Sequence, residues 1–483
     1  MEPTQREHPQ SDSDPSSSLA DLIGSGQLVP CLDGVDRPAI ELDQAASTQA
    51  HPDAAARVEE FLPWYSSVHR GAGFRSRRAT AAYEQARQAV LDFAGRSPDG
   101  PDVAILCRNT TEAINHLAYR MRLEPTDVVV TTVVEHHANL LPWGRVAERR
   151  YVECSPDGTF TVDAVCAALD AGHRPPALLA VTGASNVTGW LPPLEAIIEA
   201  AHERGVKVAV DAAQLAPHRP LPAAADFVAF SGHKLYAPFG SGALIGPREF
   251  FETGDPFLAG GGAVDLVGLH EVIWSPPPDR EEAGSPNVIG AVALHAAIDA
   301  LRRIGWEAII AHEHALAYRL AKGLRAIEGV RLLGPMGSEG GTVGGQVETL
   351  PLAPFIIEGM HHALVAARLS AEYGIAVRHG CFCAHPYVIR LLGLGDKEVD
   401  AYRAEVMQGD HRQVPGAVRA SAGLGTSGAE IDALLTAVAE LAGGAPAPVA
   451  YEQDAATGDF FPVTHQPGWR DAALELGAAC ARG

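Results

Sequence analysis

Lys234 stands in "ADFVAFSGHKLYAPFGSGALIG", residues 225–246, one position after a histidine and between two runs that read as buried strands. Lysine is among the residues least often buried unless something pairs with it. This side chain therefore either reaches solvent from a strand end or carries an amine that is no free ammonium. Asp211 closes the apolar run "VKVAVD" 23 residues earlier. Its carboxylate is then partly desolvated and in want of a cationic or N–H partner, for which a buried structural salt bridge is the plain alternative. Thr110 and Thr111 open a helix in "RNTTEAIN", where unpaired N–H groups and the positive end of the helix dipole favour an anion such as phosphate. Ser and Thr are also ordinary helix caps, so this signal is weak by itself. Ser231 and His233 can add donors to the same anion.

A lysine beside a phosphate-binding set, with an aspartate at the end of the adjacent strand, fits a Schiff base to pyridoxal phosphate. The lysine supplies the imine nitrogen, the carboxylate faces the pyridinium nitrogen, and the helix start takes the phosphate. The carboxylate keeps that nitrogen protonated, so the ring draws in electrons released at a substrate's α- or β-carbon. The amine is then bonded rather than an orphan buried charge. His136 and His137 are adjacent and cannot both point into one pocket, and a core or surface histidine is the usual outcome. Metal binding is a rival reading of "CFCAHP", which puts Cys381, Cys383 and His385 within five residues. Closed zinc sites take paired knuckles and no second pair is in evidence, so no metal is expected.

The elements that must position these groups read as short β-branched runs alternating with longer amphipathic segments, the pattern of a mostly parallel α/β sheet. Strands are expected at 102–107, 127–134, 177–183, 206–211, 226–231 and 242–246, with helices in "ATAAYEQARQAVLDFAG", "TEAINHLAYRM" and "LEAIIEAAHERG". A polar cluster follows each of the first five strands: "RNTTEAIN", "EHHANLLPW", "ASNVTGW", "DAAQ" and "SGHK". Ligands of open α/β sheets bind outside the carboxyl ends of the strands, so the five clusters converge on one crevice.

The chain has 483 residues, enough for two domains plus tails. Its 37 Lys and Arg against 59 Asp and Glu leave a formal charge of −22, which argues against nucleic acid or an anionic membrane as partner. No apolar run approaches the roughly 20 residues that cross a bilayer, and the first residues lack a secretory signal, so a cytoplasmic location is expected. The seven cysteines are scattered, which favours reduced thiols over a disulfide framework. Residues 1–18 are polar and rich in Ser, Asp and Pro, and are expected to be disordered. The end from about Gly443 is similar in character but carries Phe460, Phe461 and Trp469, so part of it is expected to dock.

Lined up, these segments resemble the class V aminotransferase family of fold type I, and within it the cysteine desulfurase and selenocysteine lyase branch. The resemblance runs from about Leu32 to about Leu441 and is carried by "YSSVHRGAGFRSRRATAAYEQAR", "RNTTEAIN", "EHHANLLPW", "SGHKLYAPFGSGAL" and "GSPNVIGAVALHAAIDAL". It implies an α/β fold: a large cofactor domain with a mostly parallel mixed sheet flanked by helices, over 61–300, and a smaller α+β C-terminal domain over 301–442. Residues 19–60 would pack on the small domain and 443–483 would form an extension. By the same resemblance Lys234 would be the imine lysine and a proton shuttle, and His136 would stack on the pyridine ring. Asp211 would hold the ring nitrogen, Gln214 the phenolic oxygen, and Asn186 would lie beside it. Thr110, Thr111, Ser231 and His233 would bind the phosphate, joined by Ser285 from the second copy of a homodimer. Arg419 would clamp the carboxylate of a small amino-acid substrate by arginine's bidentate geometry. Arg378 would line the same pocket, Arg70 belongs to the "VHRG" segment that serves the neighbouring site, and Cys383 falls on the family's persulfide cysteine.

Departures cluster on the substrate side. The family's usual "RTGHHCA" reads "RHGCFCA" here, and a longer stretch, 387–417, separates "CAHP" from "VRAS". Cys381 and Cys383 are two apart, so in an extended segment both would point to one side with Phe382 opposite. The activity implied is removal of sulfur from L-cysteine through an enzyme persulfide, leaving alanine, with a sulfur-acceptor protein as a further partner. The same fold hosts transaminases, epimerases and C–S lyases on specialised substrates, and these stand as the alternative.

Overall fold

The six apolar runs form six strands of one seven-stranded sheet in the computed structural model, which describes residues 17–69, 71–337 and 347–464. The strands are β1 (Asp102–Cys107), β2 (Val128–Thr132), β3 (Glu148–Val152), β4 (Leu178–Thr182), β5 (Lys207–Asp211), β6 (Phe227–Ser231) and β7 (Gly242–Pro247). Their spatial order is β1-β7-β6-β5-β4-β2-β3. β7 runs antiparallel to both neighbours and every other pair is parallel. Every residue of β2, β4 and β6 is buried, which is why these strands read as continuous apolar runs rather than alternating ones. β3, "ERRYV", was not expected from the sequence. It is an edge strand in which only Val152 is buried, and its charges blunt pairing with another chain.

Helices Phe74–Phe93, Thr110–Arg120 and Leu194–His202 form where the amphipathic segments were read. Thr110–Arg120 turns Ala113, Ile114, Leu117 and Ala118 to the sheet. Helix Val288–Ile304 packs on Phe74–Phe93, with Ala291, Ala293 and Ala297 in one buried cluster with Ala79, Tyr83 and Ala86.

A second, antiparallel sheet contains β8 (Val330–Leu332), β9 (Leu352–Ile357), β10 (Arg378–Gly380) and β11 (Ala417–Ser421) in the order β8-β9-β11-β10. Helices Trp306–Arg325, His362–Tyr373 and Gly428–Ala442 cover it through Leu316, Leu320, Leu369, Ile431 and Leu434. Near the N-terminus, Ile40–Glu41 pairs in parallel with Ile375–Ala376, and Asp43 then bridges to Ser421 at the end of β11. The stretch 387–417 contains most of helix His385–Leu392 and all of Asp396–Met407. Tyr387 of the first donates to the Gly158 carbonyl at 2.9 Å and anchors it on the large core.

The chain beyond Gly443 forms a hairpin, β12 (Tyr451–Gln453) with β13 (Phe460–Pro462). It docks: the Phe460 ring lies 5.6 Å from that of His361, and Asp459 pairs with His379 of β10 at 3.1 Å. Trp469 and most of the tail read as disordered at the N-terminus lie outside the described residues.

One buried ion pair ties the segment after β5 to the second layer of helices. Glu313, fully buried on Trp306–Arg325, takes His218 Nδ1 at 2.5 Å and Arg219 Nη1 at 2.6 Å. Removing Glu313 leaves His218 and Arg219 without their shared buried acceptor, Arg219 keeping only half-exposed Glu348 at 2.8 Å, so the cost should lie at or below about 3–5 kcal/mol, that of a fully uncompensated buried charge. Glu313→Ala should lower the urea midpoint accordingly, and a midpoint equal to the wild type's would show that the pair adds nothing.

Candidate active site

The carboxyl ends of β4, β5 and β6 and the start of helix Thr110–Arg120 surround a cavity of about 300 Å³. Thr110, Thr111, His136, Asn186, Asp211, Gln214, Ser231, His233, Lys234, Arg378, Cys383 and Arg419 all line it. Ser285, expected to serve the site of a second copy, is exposed and lines a separate cavity with Arg108, Glu112 and Asn287, and Arg70 lies outside the described residues.

The helix start is capped by Asn109, whose side chain accepts from Glu112 N at 3.0 Å. Capping therefore does not use the threonines. Thr110 N donates to Ser231 Oγ at 2.8 Å, and the two hydroxyls lie 2.7 Å apart, so β6 and the helix start share one polar corner. His233 and Lys234 follow in a single 3-10 turn, Gly232–Lys234, off the end of β6. Adding a Cβ to Gly232 would bring it within 2.6 Å of Ser241 Oγ and 2.9 Å of the Ser241 carbonyl, so this turn has room only for glycine.

Burial, and then the charge of Arg419, lower the Lys234 amine to about 8, with Asp211 pulling the other way. The amine forms no ion pair or hydrogen bond among the described residues. Burial raises the Asp211 carboxyl, whose contact is one N–H, from Ala213 at 3.0 Å. His136 is held neutral: burial, then Lys234, push it to about 3, and its Nδ1 accepts from Ala138 N at 3.0 Å. His137 turns away and stacks on His385 at 5.0 Å, so one histidine of the pair enters the cavity, as steric sense required.

Glu135, which sequence reasoning passed over, holds this loop. It is fully buried, accepts from Thr132 Oγ1 at 2.7 Å, Thr182 N at 3.0 Å and Asn139 Nδ2 at 2.7 Å, and so laces the end of β2 to β4. Burial nevertheless pushes its carboxyl up to about 8. Its signal was its place, the last residue before the histidine pair.

The expectation that Cys381 and Cys383 share one side is overturned. Phe382 and Cys383 have φ of 52° and 53°, a left-handed turn in which strand alternation does not hold. Cys381 is buried with Sγ 2.9 Å from the Pro415 carbonyl, and burial pushes its thiol up to about 12. Phe382 and exposed Cys383 both line the cavity. The Phe382 ring centroid is 5.0 Å from the Arg419 guanidinium, and its carbonyl accepts from Asn186 Nδ2 at 2.7 Å.

Arg378 and Arg419 are direct cross-strand partners on β10 and β11. Arg419 is 3% exposed and donates Nη1 to the Asn186 carbonyl at 2.6 Å. Asp43, also missed from sequence, reaches both arginines, with Oδ2 2.9 Å from Arg378 Nη2 and Oδ1 3.1 Å from Arg419 Nη2. An aspartate after a two-residue strand carries no recognisable signal.

A family model described as aminotransferase class-V matches residues 40–434. The chain belongs to the class-V aminotransferase family. Within the class, it is 38% identical over 367 residues to the cysteine desulfurase of Dickeya dadantii, covering 73% of this chain and 85% of that one. It is 34% identical over 412 residues to a probable cysteine desulfurase of Streptomyces coelicolor, covering 82% and 90%. The apo structure of a cysteine desulfurase from Thermococcus onnurineus superposes with a TM-score of 0.73 at 31% identity, covering 84% of this chain and 95% of that one. The seven-stranded mixed sheet flanked by helices is thus that of fold type I.

In the cofactor-free class-V chain, amine modification of Lys234 mapped by mass spectrometry should reach half its limiting rate near pH 8, not near 10.5. Arg419→Met removes a cation that disfavours the ammonium, so it should move that midpoint upward. A midpoint unmoved by the substitution would show that Arg419 does not act on Lys234.

Proposed function

We propose that this chain is a pyridoxal-phosphate enzyme that takes sulfur from L-cysteine onto Cys383 and leaves alanine. The observation that carries the reading is one cavity that joins Lys234 and Asp211 to an exposed thiol, Cys383, and two arginines. The residues fit the cofactor. Lys234 and Asp211 are ionisable groups in a desolvated place with almost no partners of their own, which is costly unless a ligand completes them.

Pyridoxal phosphate, when bound, supplies an electron sink for the pair released at the substrate's α-carbon. Lys234 would hold it and would move the substrate proton at Nζ. Asp211 would keep the ring nitrogen protonated, neutral His136 would lie against the ring, and Gln214 and Asn186 would serve the ring oxygen. Thr110, Thr111, Ser231 and His233 would take the phosphate, with Ser285 supplied by the second copy of a homodimer. Exposure of Ser285 and of the apolar hairpin 264–274, where Leu269 is 96% exposed, supports such a second copy. Arg378, Arg419 and Arg70 orient the substrate carboxylate.

Cys383 attacks the substrate sulfur as a thiolate; the S–S bond forms, the C–S bond breaks, and the electron pair stays with the carbon skeleton, which is protonated to alanine. The persulfide passes to an acceptor protein in the cytoplasm. No helix of the described residues is long and apolar enough to cross a membrane.

Incubated with L-cysteine, the wild type should release alanine and carry a persulfide that peptide mapping places on Cys383. Cys383→Ala should lose persulfide formation, while Cys381→Ala, whose thiol is buried on Pro415, should keep most activity. Alanine release at the wild-type rate by both variants would remove the thiol mechanism in favour of C–S lyase, transaminase or epimerase chemistry. Arg419→Ala removes a charge-assisted pair worth about 2–4 kcal/mol, so kcat/KM should fall about 30- to 1000-fold while the cofactor stays bound. An unchanged kcat/KM would make Arg419 structural.

A further inference from the structure

We propose that Asp43 is a positioning residue that sets the charge of substrate this site accepts. It lies behind the arginine pair, gives one carboxylate oxygen to each guanidinium, and leaves the pair with room for one further carboxylate. The inference rests on the reading of Arg378 and Arg419 as the substrate-carboxylate site.

Arg378 and Arg419 face each other across β10 and β11. Like charges directly opposite on neighbouring strands repel, and Arg419 is almost fully removed from water. Something must hold them together, and Asp43 does so at 2.9 Å and 3.1 Å. Its own place is fixed by backbone. The strand Ile40–Glu41 pairs with Ile375–Ala376, and Asp43 bridges to Ser421, two residues past Arg419 on β11. Asp43 itself does not line the cavity, whereas both arginines do. It therefore acts through them.

The arrangement fixes what the arginines have left to give. Both terminal nitrogens of Arg419 are already engaged, Nη1 by the Asn186 carbonyl and Nη2 by Asp43, while its Nε is buried without a partner. Arg378 is half exposed and spends Nη2 on Asp43. Two guanidiniums and one resident carboxylate leave a net charge of one, which a single substrate carboxylate neutralises. A second anionic group on the ligand meets the field of Asp43 with no third arginine among the described residues at the cavity to offset it. The pair is thereby suited to an amino acid with one carboxylate and an uncharged side chain.

The test uses the holoenzyme and two unreactive probes, propionate and succinate, as competitive inhibitors of alanine release from L-cysteine. Their direct binding to the same protein is followed by calorimetry. The wild type should bind propionate more tightly than succinate, and the reverse order would overturn the proposal without any variant. In Asp43→Asn the ratio of the two inhibition constants should move about tenfold toward succinate, the scale expected for removing one charge a few ångströms from a partly exposed anion. KM for cysteine should change more than kcat. Asp43→Glu, which keeps the charge, should retain the wild-type order. If Asp43 were merely structural, both constants would shift together, and a ratio changed less than about twofold in a folded Asp43→Asn protein would overturn the assignment. A wild type that forms no alanine would sink the desulfurase reading alone, since calorimetric binding of the two probes still decides the role of Asp43.

Discussion

Desolvation of the Lys234 amine is the constraint around which the site is arranged. Its surroundings lower the amine to about 8, and Arg419, itself lowered to about 10 by burial, works in the same direction. Two cations so close in a dry place are tolerable only if carboxylates answer them, and they do so from two sides. Asp211 comes from the end of β5 and Asp43 from the N-terminal segment. Each carboxylate thus belongs to a different part of the chain, and the cavity exists because those parts meet.

The large sheet sets one side of this meeting. β4, β5 and β6 are parallel neighbours, so their carboxyl ends deliver Thr182, Asp211 and Ser231 along one rim. Glu135 binds the rim together from β2, and the Thr110–Ser231 contact joins it to the helix start. The substrate side is built differently. Arg378 lies on a three-residue edge strand, and Phe382 and Cys383 on a strained turn after it. Residues at φ near 50° persist only where the surroundings hold them, and here Asn186, His137 and Arg419 supply the contacts. The C-terminal hairpin reaches the same strand through Asp459 and His379, the residue next to Arg378.

Cys381, Phe382 and the stretch 387–417, where the resemblance implies departures from the family pattern, all fall on the side built from short, edge-like elements, while the opposite rim stands on buried strands, where close packing tolerates little change.

The sequence by itself determined the six buried strands, the helix start at Thr110, the lysine and aspartate at the ends of neighbouring strands, and hence the sheet-side half of the cavity. These are local properties: apolar runs, residue type and spacing, and the rule that ligands gather at the carboxyl ends of an open sheet. Edge strand β3 escaped because charged residues at the rim of a sheet look like loop. Tertiary structure alone decided the rest. Asp43 meets Arg419 across 376 residues of chain, through a backbone bridge that no periodicity announces. The left-handed turn at Phe382 and Cys383 separates two thiols that strand alternation would place together, and non-glycine residues take that backbone only when packing imposes it.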